Sequence, residues 1–102
     1  MAKLVVLYKK PSDPAAFDAH YASTHAPLAK KIPGLKRYEI STGPVSTPAG
    51  DSQWHLVAIL EFDSADALRA GLSSPEGRAA AGDLSNFAQA GAELLIFDST
   101  DA

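Results

Sequence analysis

Cysteine is absent from the 102 residues of this chain. That excludes disulfides, thiolate-bound zinc, iron–sulfur clusters and a cysteine nucleophile. It also fits a cytoplasmic setting. Long hydrophobic runs are missing too. The longest, Leu56-Val57-Ala58-Ile59-Leu60, is far too short to cross a membrane. Near the N-terminus, Lys9-Lys10-Pro11 cuts the apolar stretch short, so no signal peptide is expected. There are no repeats and no low-complexity tracts.

What is present is a modest apolar supply. Of 102 residues, 46% are hydrophobic, and nineteen of these 47 are alanine, which leaves 28 larger side chains. That is enough for one domain, 1–102, with an ordered core over about 3–98, and too much for a disordered chain. The net charge is −3 and unevenly placed. Residues 1–40 hold seven Lys/Arg against three Asp/Glu; residues 41–102 hold two against nine. Two readings are open: complementary halves of a fold or an interface, or a basic pocket wall for an anionic ligand. The acidic total counts against nucleic acid as a partner.

Hydrophobic patterning orders the chain. Residues 3–9 read as a strand apolar on both faces. Asp13-Pro14 reads as a helix cap and first turn, followed by Phe17, Tyr21, Leu28 and Ile32 in one stripe, and Pro33-Gly34 stops the helix. Residues 35–43 form a second strand. The loop 43–50 is too long and proline-rich for a tight hairpin. Residues 53–62 alternate as the clearest strand. Asp63 or Ser64 caps a short helix to about Gly71-Leu72; Ser74-Pro75-Glu76 restarts a helix that ends near Gly91. Residues 92–98 form the last strand.

The order β-α-β-β-α-β implies an α+β, ferredoxin-like fold: a four-stranded antiparallel sheet with both helices on one side. Strands 1, 3 and 4 are apolar on both faces. The second face therefore needs a cover, a ligand or a second copy, since bare it would aggregate.

Three histidines and two aromatic positions are the candidate chemistry. Pro27 falls inside the first helical pattern, so a kink or break is expected there, with Ala26 pushed from helical geometry. His25 lies at this irregularity, beside the apolar stripe, either as a general acid/base or as a cap for freed carbonyls. His20 reads as a surface residue. The two histidines are five apart, not the i, i+4 of a helical metal pair, and no metal site is expected. Trp54 and His55 are neighbours in a strand and should serve opposite faces. With Trp54 in the helix-packed core, His55 joins Val57 and Ile59 on the second face, as a site residue or a rim position. Tyr38 offers a hydroxyl or plain packing. No phosphate-cradling glycine pattern and no nucleophile elbow occur. The third strand, Trp54 to Phe62, lacks the basic start and glycine of an RNA-binding module.

Phe17-x-x-x-Tyr21-x-x-x-His25-x-Pro27-Leu28 followed by Ile32-Pro33-Gly34-Leu35-x-x-Tyr38 resembles the EthD family of dimeric α/β-barrel proteins, over nearly the whole chain. The resemblance implies two ferredoxin-like subunits joined sheet to sheet, each with a pocket between sheet and helices. It links the chain to degradation of ethers, lactones and aromatic compounds, and to polyketide tailoring. The founding member accompanies a cytochrome P450 system, and many members bear an oxidoreductase label, although no flavin or nicotinamide motif is present here. Related methylmuconolactone isomerases use histidines and a tyrosine without a cofactor. His25 and Tyr38 fall on matching positions, and His55 on a comparable one. Those isomerases also use a cysteine, which this chain lacks.

Three functions follow as expectations. One is a cofactor-free enzyme on a small hydrophobic, aromatic or lactone metabolite: His25 moves protons, Tyr38 and His55 orient substrate, and Trp54 and Tyr21 contact it. Another is a non-catalytic binder that shields an intermediate for a partner oxygenase. The third is a haem or quinol monooxygenase; these usually need an asparagine near the first strand, whereas the sole asparagine is Asn86. The expected assembly is a homodimer through the open sheet face.

Overall fold

The computed structural model describes residues Met1–Ala102. It has the α+β architecture read from the sequence. Strands β1 (Ala2–Lys9), β2 (Arg37–Ile40), β5 (Trp54–Phe62) and β6 (Ala92–Asp98) form one sheet in the order β2-β5-β1-β6, every pair antiparallel. Helices α1 (Pro14–His20), α2 (Ala26–Lys30), α3 (Ala65–Ser73) and α4 (Pro75–Phe87) lie on one side. The molecule is only 18 Å thick in its shortest dimension, which matches one sheet plus one helical layer.

Alternation sets the two faces. Ala2, Leu4, Val6 and Tyr8 of β1 and Leu56, Ala58, Leu60 and Phe62 of β5 are buried under the helices. Val5 stands between Ile59 and Leu95, and Leu7 opposes Val57. These residues make the centre of the open face apolar. Strand β6 goes further than expected: Leu94, Leu95, Ile96 and Phe97 are each between 45% and 50% exposed. The helical layer stops short of this edge, so both faces of β6 stay open.

Caps define the helices as the sequence indicates. Asp13 accepts from Ala16 N–H, and Pro14 follows in the first turn. Ser64, not Asp63, caps α3 through Ala67 N–H. Ser74 ends one helix and begins the next: its hydroxyl donates to Gly71 O and accepts from Gly77 N–H. Gly71 and Gly77 let this corner close, since a Cβ on Gly77 would lie 2.6 Å from the Leu72 carbonyl oxygen.

Three local expectations are corrected. The helix does not break at Pro27. Residues Tyr21–His25 form a π-helical turn in which Ala26 N–H reaches back to Tyr21 O. The extra residue in the turn makes room for the proline ring, and Ala26 keeps helical angles (φ −60°, ψ −44°). The 43–50 loop contains a tight hairpin after all, with β3 (Ser46–Thr47) paired to β4 (Gly50–Asp51). Gly50, at φ +130°, takes a conformation that other residues rarely adopt, and Thr47 Oγ1 ties the turn from within. Finally, β2 is shorter than 35–43.

Candidate functional site

The π turn decides the site. Five residues fill one wide turn, so His20 and His25 share a face that an α-helix would have split. Both reach Asp83 on α4. His25 Nδ1 lies 3.0 Å from Asp83 Oδ2. His20 Nε2 lies 2.9 Å from Oδ1 and 3.0 Å from Oδ2. Asn86 Nδ2 donates to Oδ1 at 3.0 Å. His20 is thus not a plain surface residue. It is half-buried and stacked on Phe87, with ring centroids 5.1 Å apart.

Asp83 and His25 are buried, at 5% and 6% exposure. Burial opposes the Asp83 charge, but hydrogen bonds from Asn86, His20 and His25 outweigh it and hold the carboxyl below its ordinary 3.8. Burial also dominates at His25 and pushes it below its ordinary 6.5, against the pull of Asp83. The imidazole is therefore neutral at pH 7. A carboxylate can only accept, so Nδ1 carries the proton and Nε2 keeps its lone pair. That lone pair faces the Tyr8 hydroxyl at 3.4 Å.

Three tyrosines complete the polar wall. Tyr8, from β1, is buried and meets Tyr21 edge-on at 5.7 Å. The hydroxyls of Tyr21 and Tyr38 are hydrogen-bonded to each other. Burial raises all three phenols above their ordinary 10.0, so they remain protonated. A cavity of about 50 Å³ lies against Tyr8, Tyr21, His25 and Tyr38. Its other walls are apolar, including Leu60, Leu72, Leu84 and Leu94. Leu94 is also about half exposed, so the cavity meets the surface along β6.

His25, Tyr38 and Tyr21 thus come together, while His55 and Trp54 do not join them. The β1–β5 register passes from Tyr8↔Leu56 to Lys9↔Trp54, which leaves His55 unpaired in a bulge. The bulge turns His55 toward α1, where Nε2 lies 2.8 Å from Asp18 Oδ1 and the ring meets Phe17 edge-on at 4.9 Å. This corrects the expectation that His55 joins Val57 and Ile59 on the open face. Trp54 and His55 instead line a second, open groove beneath the β3–β4 hairpin, which Tyr21 borders from its other side.

Sequence reasoning missed Tyr8 and Asp83. Tyr8 looked like ordinary strand packing. Asp83 did leave a signal, because Ala80, Asp83, Leu84 and Phe87 follow i, i+3, i+4, i+7 and put a carboxylate on the buried stripe of α4. No group of three or more His, Asp or Glu side chains is arranged to hold a metal ion. No helix is long and apolar enough to cross a membrane.

A family model described as the EthD domain matches residues 9–91. A protein of Rhodococcus erythropolis, described as an uncharacterized 11.0 kDa protein in the thcB-thcC intergenic region, is 38% identical over 99 residues, which is 96% of this chain and 94% of that protein. The crystal structure of an EthD family protein from Bacillus halodurans is 37% identical and superposes with a TM-score of 0.90, over 98% of this chain and 99% of that one. At the level of fold alone, SnoaB of Streptomyces nogalater, described as a cofactor-independent oxygenase, superposes with a TM-score of 0.70 at 21% identity, over 99% and 94% of the two chains. With the family model spanning most of its length and two relatives aligned along nearly all of it, the chain belongs to the EthD family.

Proposed function

We propose that this protein performs cofactor-free acid/base chemistry on a small hydrophobic metabolite, an aromatic carbonyl or lactone, with His25 as the base. One observation carries the reading. A neutral histidine with its Nδ1 proton committed to a buried carboxylate borders an apolar cavity next to a pair of phenol donors. Nε2 takes a proton from an acidic C–H or O–H of the ligand. The charge then gathers on a ligand oxygen, which accepts from whichever of the Tyr21 and Tyr38 hydroxyls is not donating to the other. The enolate or phenolate is reprotonated elsewhere, or it reacts with dioxygen. The likeness in fold to a cofactor-independent oxygenase agrees with the latter course.

The cavity of about 50 Å³ holds only a few water-sized groups. The reacting end of the ligand therefore enters here, and its remainder displaces Leu72, Leu84 or Leu94 or extends past them. Trp54 and His55 contact a ligand only if it reaches across Tyr21 into the second groove. The open apolar sheet face is the surface for a second copy of the chain.

A second reading has its own support. Every buried side-chain polar atom already has a partner within the protein, as suits a container that shields a hydrophobic intermediate for an oxygenase. The two are separated by incubating the purified protein with aryl ketones and lactones, with no flavin, nicotinamide or metal added. Product formation that disappears in His25→Gln supports catalysis. Unchanged turnover in His25→Gln removes His25 from the mechanism. A co-purified hydrophobic molecule, seen by mass spectrometry and released unaltered, supports the container.

A further inference from the structure

We infer that His20 is a positioning residue for His25, acting through Asp83 from the opposite side of the carboxylate. The inference rests on the proposed role of His25 and adds a member that the family resemblance did not supply. Three observations carry it.

The first is shared geometry. His20 Nε2 and His25 Nδ1 both lie 3.0 Å from the same atom, Asp83 Oδ2, and His20 also reaches Oδ1 at 2.9 Å. A carboxylate held by His25 alone can swing about its own side-chain torsion. Held on both oxygens by His20, and on Oδ1 by Asn86, it presents Oδ2 to His25 in one orientation. Such outer partners fix the tautomer and direction of a working imidazole.

The second is the backbone that brings the histidines together. Because they are five positions apart, only the wide turn at Tyr21–His25 places both on Asp83. Such turns are rare and occur frequently at functional sites.

The third is exposure. His25 and Asp83 are sealed, while His20 is half-buried and borders a surface groove with Asn86 and Phe87. Around the His25 ring, Tyr8 approaches from β1, Tyr21 from its own turn, Asp83 from α4 and His20 from α1. Of these, His20 is the titratable group open to water. Its positive charge, when present, opposes a second positive charge on His25. His20 therefore aims Asp83, while burial is the main reason His25 stays neutral.

The test is side-chain nitrogen–proton NMR of the histidines in the full-length protein, across pH 5 to 8, in wild type, His20→Phe and His20→Gln. Phenylalanine retains the stack on Phe87 and removes the donor. Glutamine retains a donor near the Nε2 position and removes the charge. Wild type is expected to show His25 as the Nδ1–H tautomer, with a downfield, slowly exchanging proton. In His20→Phe that proton signal should weaken or vanish into fast exchange, and the His25 midpoint should rise. In His20→Gln the proton signal should persist while the midpoint still rises. A wild-type signal and midpoint in His20→Phe would overturn the inference. So would loss of the signal in both variants, or an Nε2–H tautomer in wild type. None of these readouts depends on turnover, so failure of the proposed chemistry and failure of this inference remain distinguishable.

Discussion

Oδ2 of Asp83 lies 3.0 Å from Nδ1 of His25, across 58 positions of sequence, and both residues are buried. Most of the site's behaviour follows from this pair. A buried carboxylate that receives three side-chain donors, His20, His25 and Asn86, is both a structural anchor and a constraint on tautomer.

Removing the anchor should be costly. Asp83→Ala leaves the His25 and His20 donors unpaired and opens a small void. We expect a loss of about 2–4 kcal/mol, combining unsatisfied donors with the void. Asp83→Asn should cost less, because its amide oxygen still accepts from one histidine. Urea unfolding followed by the fluorescence of Trp54, the sole tryptophan, gives both values. Equal stability of Asp83→Ala and wild type would contradict the network.

The same pair sets a pH dependence with a definite sign. His25 has a folded pKa below its ordinary 6.5, so below that pH the unfolded chain binds more protons. Stability contributed by neutral His25 is complete above about pH 6.5. It declines as pH falls through the folded value, with a slope of at most about 1.4 kcal/mol per pH unit. Asp83, also depressed, adds a further loss below its ordinary 3.8. Urea midpoints at pH 7.5, 6.0 and 5.0 should decrease in wild type and flatten in His25→Gln.

The corner between α3 and α4 makes a separate prediction. A methyl group on Gly77 would meet the carbonyl oxygens of Gly71 and Leu72, which are backbone atoms unable to step aside. Gly77→Ala should destabilise by about 2–3 kcal/mol, in the upper range of overpacking. Gly82→Ala, with open space at its Cβ, should be neutral or slightly stabilising. Thermal unfolding of the two variants side by side checks the contrast.

The open face predicts an assembly. Val5, Ile59 and Leu95 lie in one row across β5, β1 and β6, and Leu95 is 50% exposed. A charge in this row should disfavour pairing of two copies, since it would be buried unpaired. Sedimentation equilibrium at micromolar concentration should find wild type dimeric and Leu95→Glu shifted toward monomer. A stable wild-type monomer would overturn the dimer.

Much of this architecture was legible because period-2 and period-3.6 patterns are long here. The alternation from Leu56 to Phe62 and the stripe Phe17, Tyr21, Leu28, Ile32 place the layers without further help. Three things were hidden, the first two by a one-residue irregularity. The π turn at Tyr21–His25 changes which residues share a face, so a five-residue spacing became one turn. The bulge at His55 reverses a side chain that strict alternation sends the other way. The hairpin at Ser46–Asp51 is built by Thr47 and Gly50 within a proline-rich stretch. Two members of the site, Tyr8 and Asp83, lay on elements whose other residues are ordinary core, and only the carboxylate on an apolar stripe marked one of them.

The central claim is that His25 accepts a proton from a bound ligand without any cofactor. The most direct measurement is deuterium wash-in from D2O at the acidic C–H of aryl ketones and lactones, followed by mass spectrometry. The account predicts wash-in catalysed by the purified protein, reduced at least about 100-fold in His25→Gln while ligand binding persists. Wash-in that is equal in His25→Gln, or absent with ligand demonstrably bound in the cavity, would contradict it.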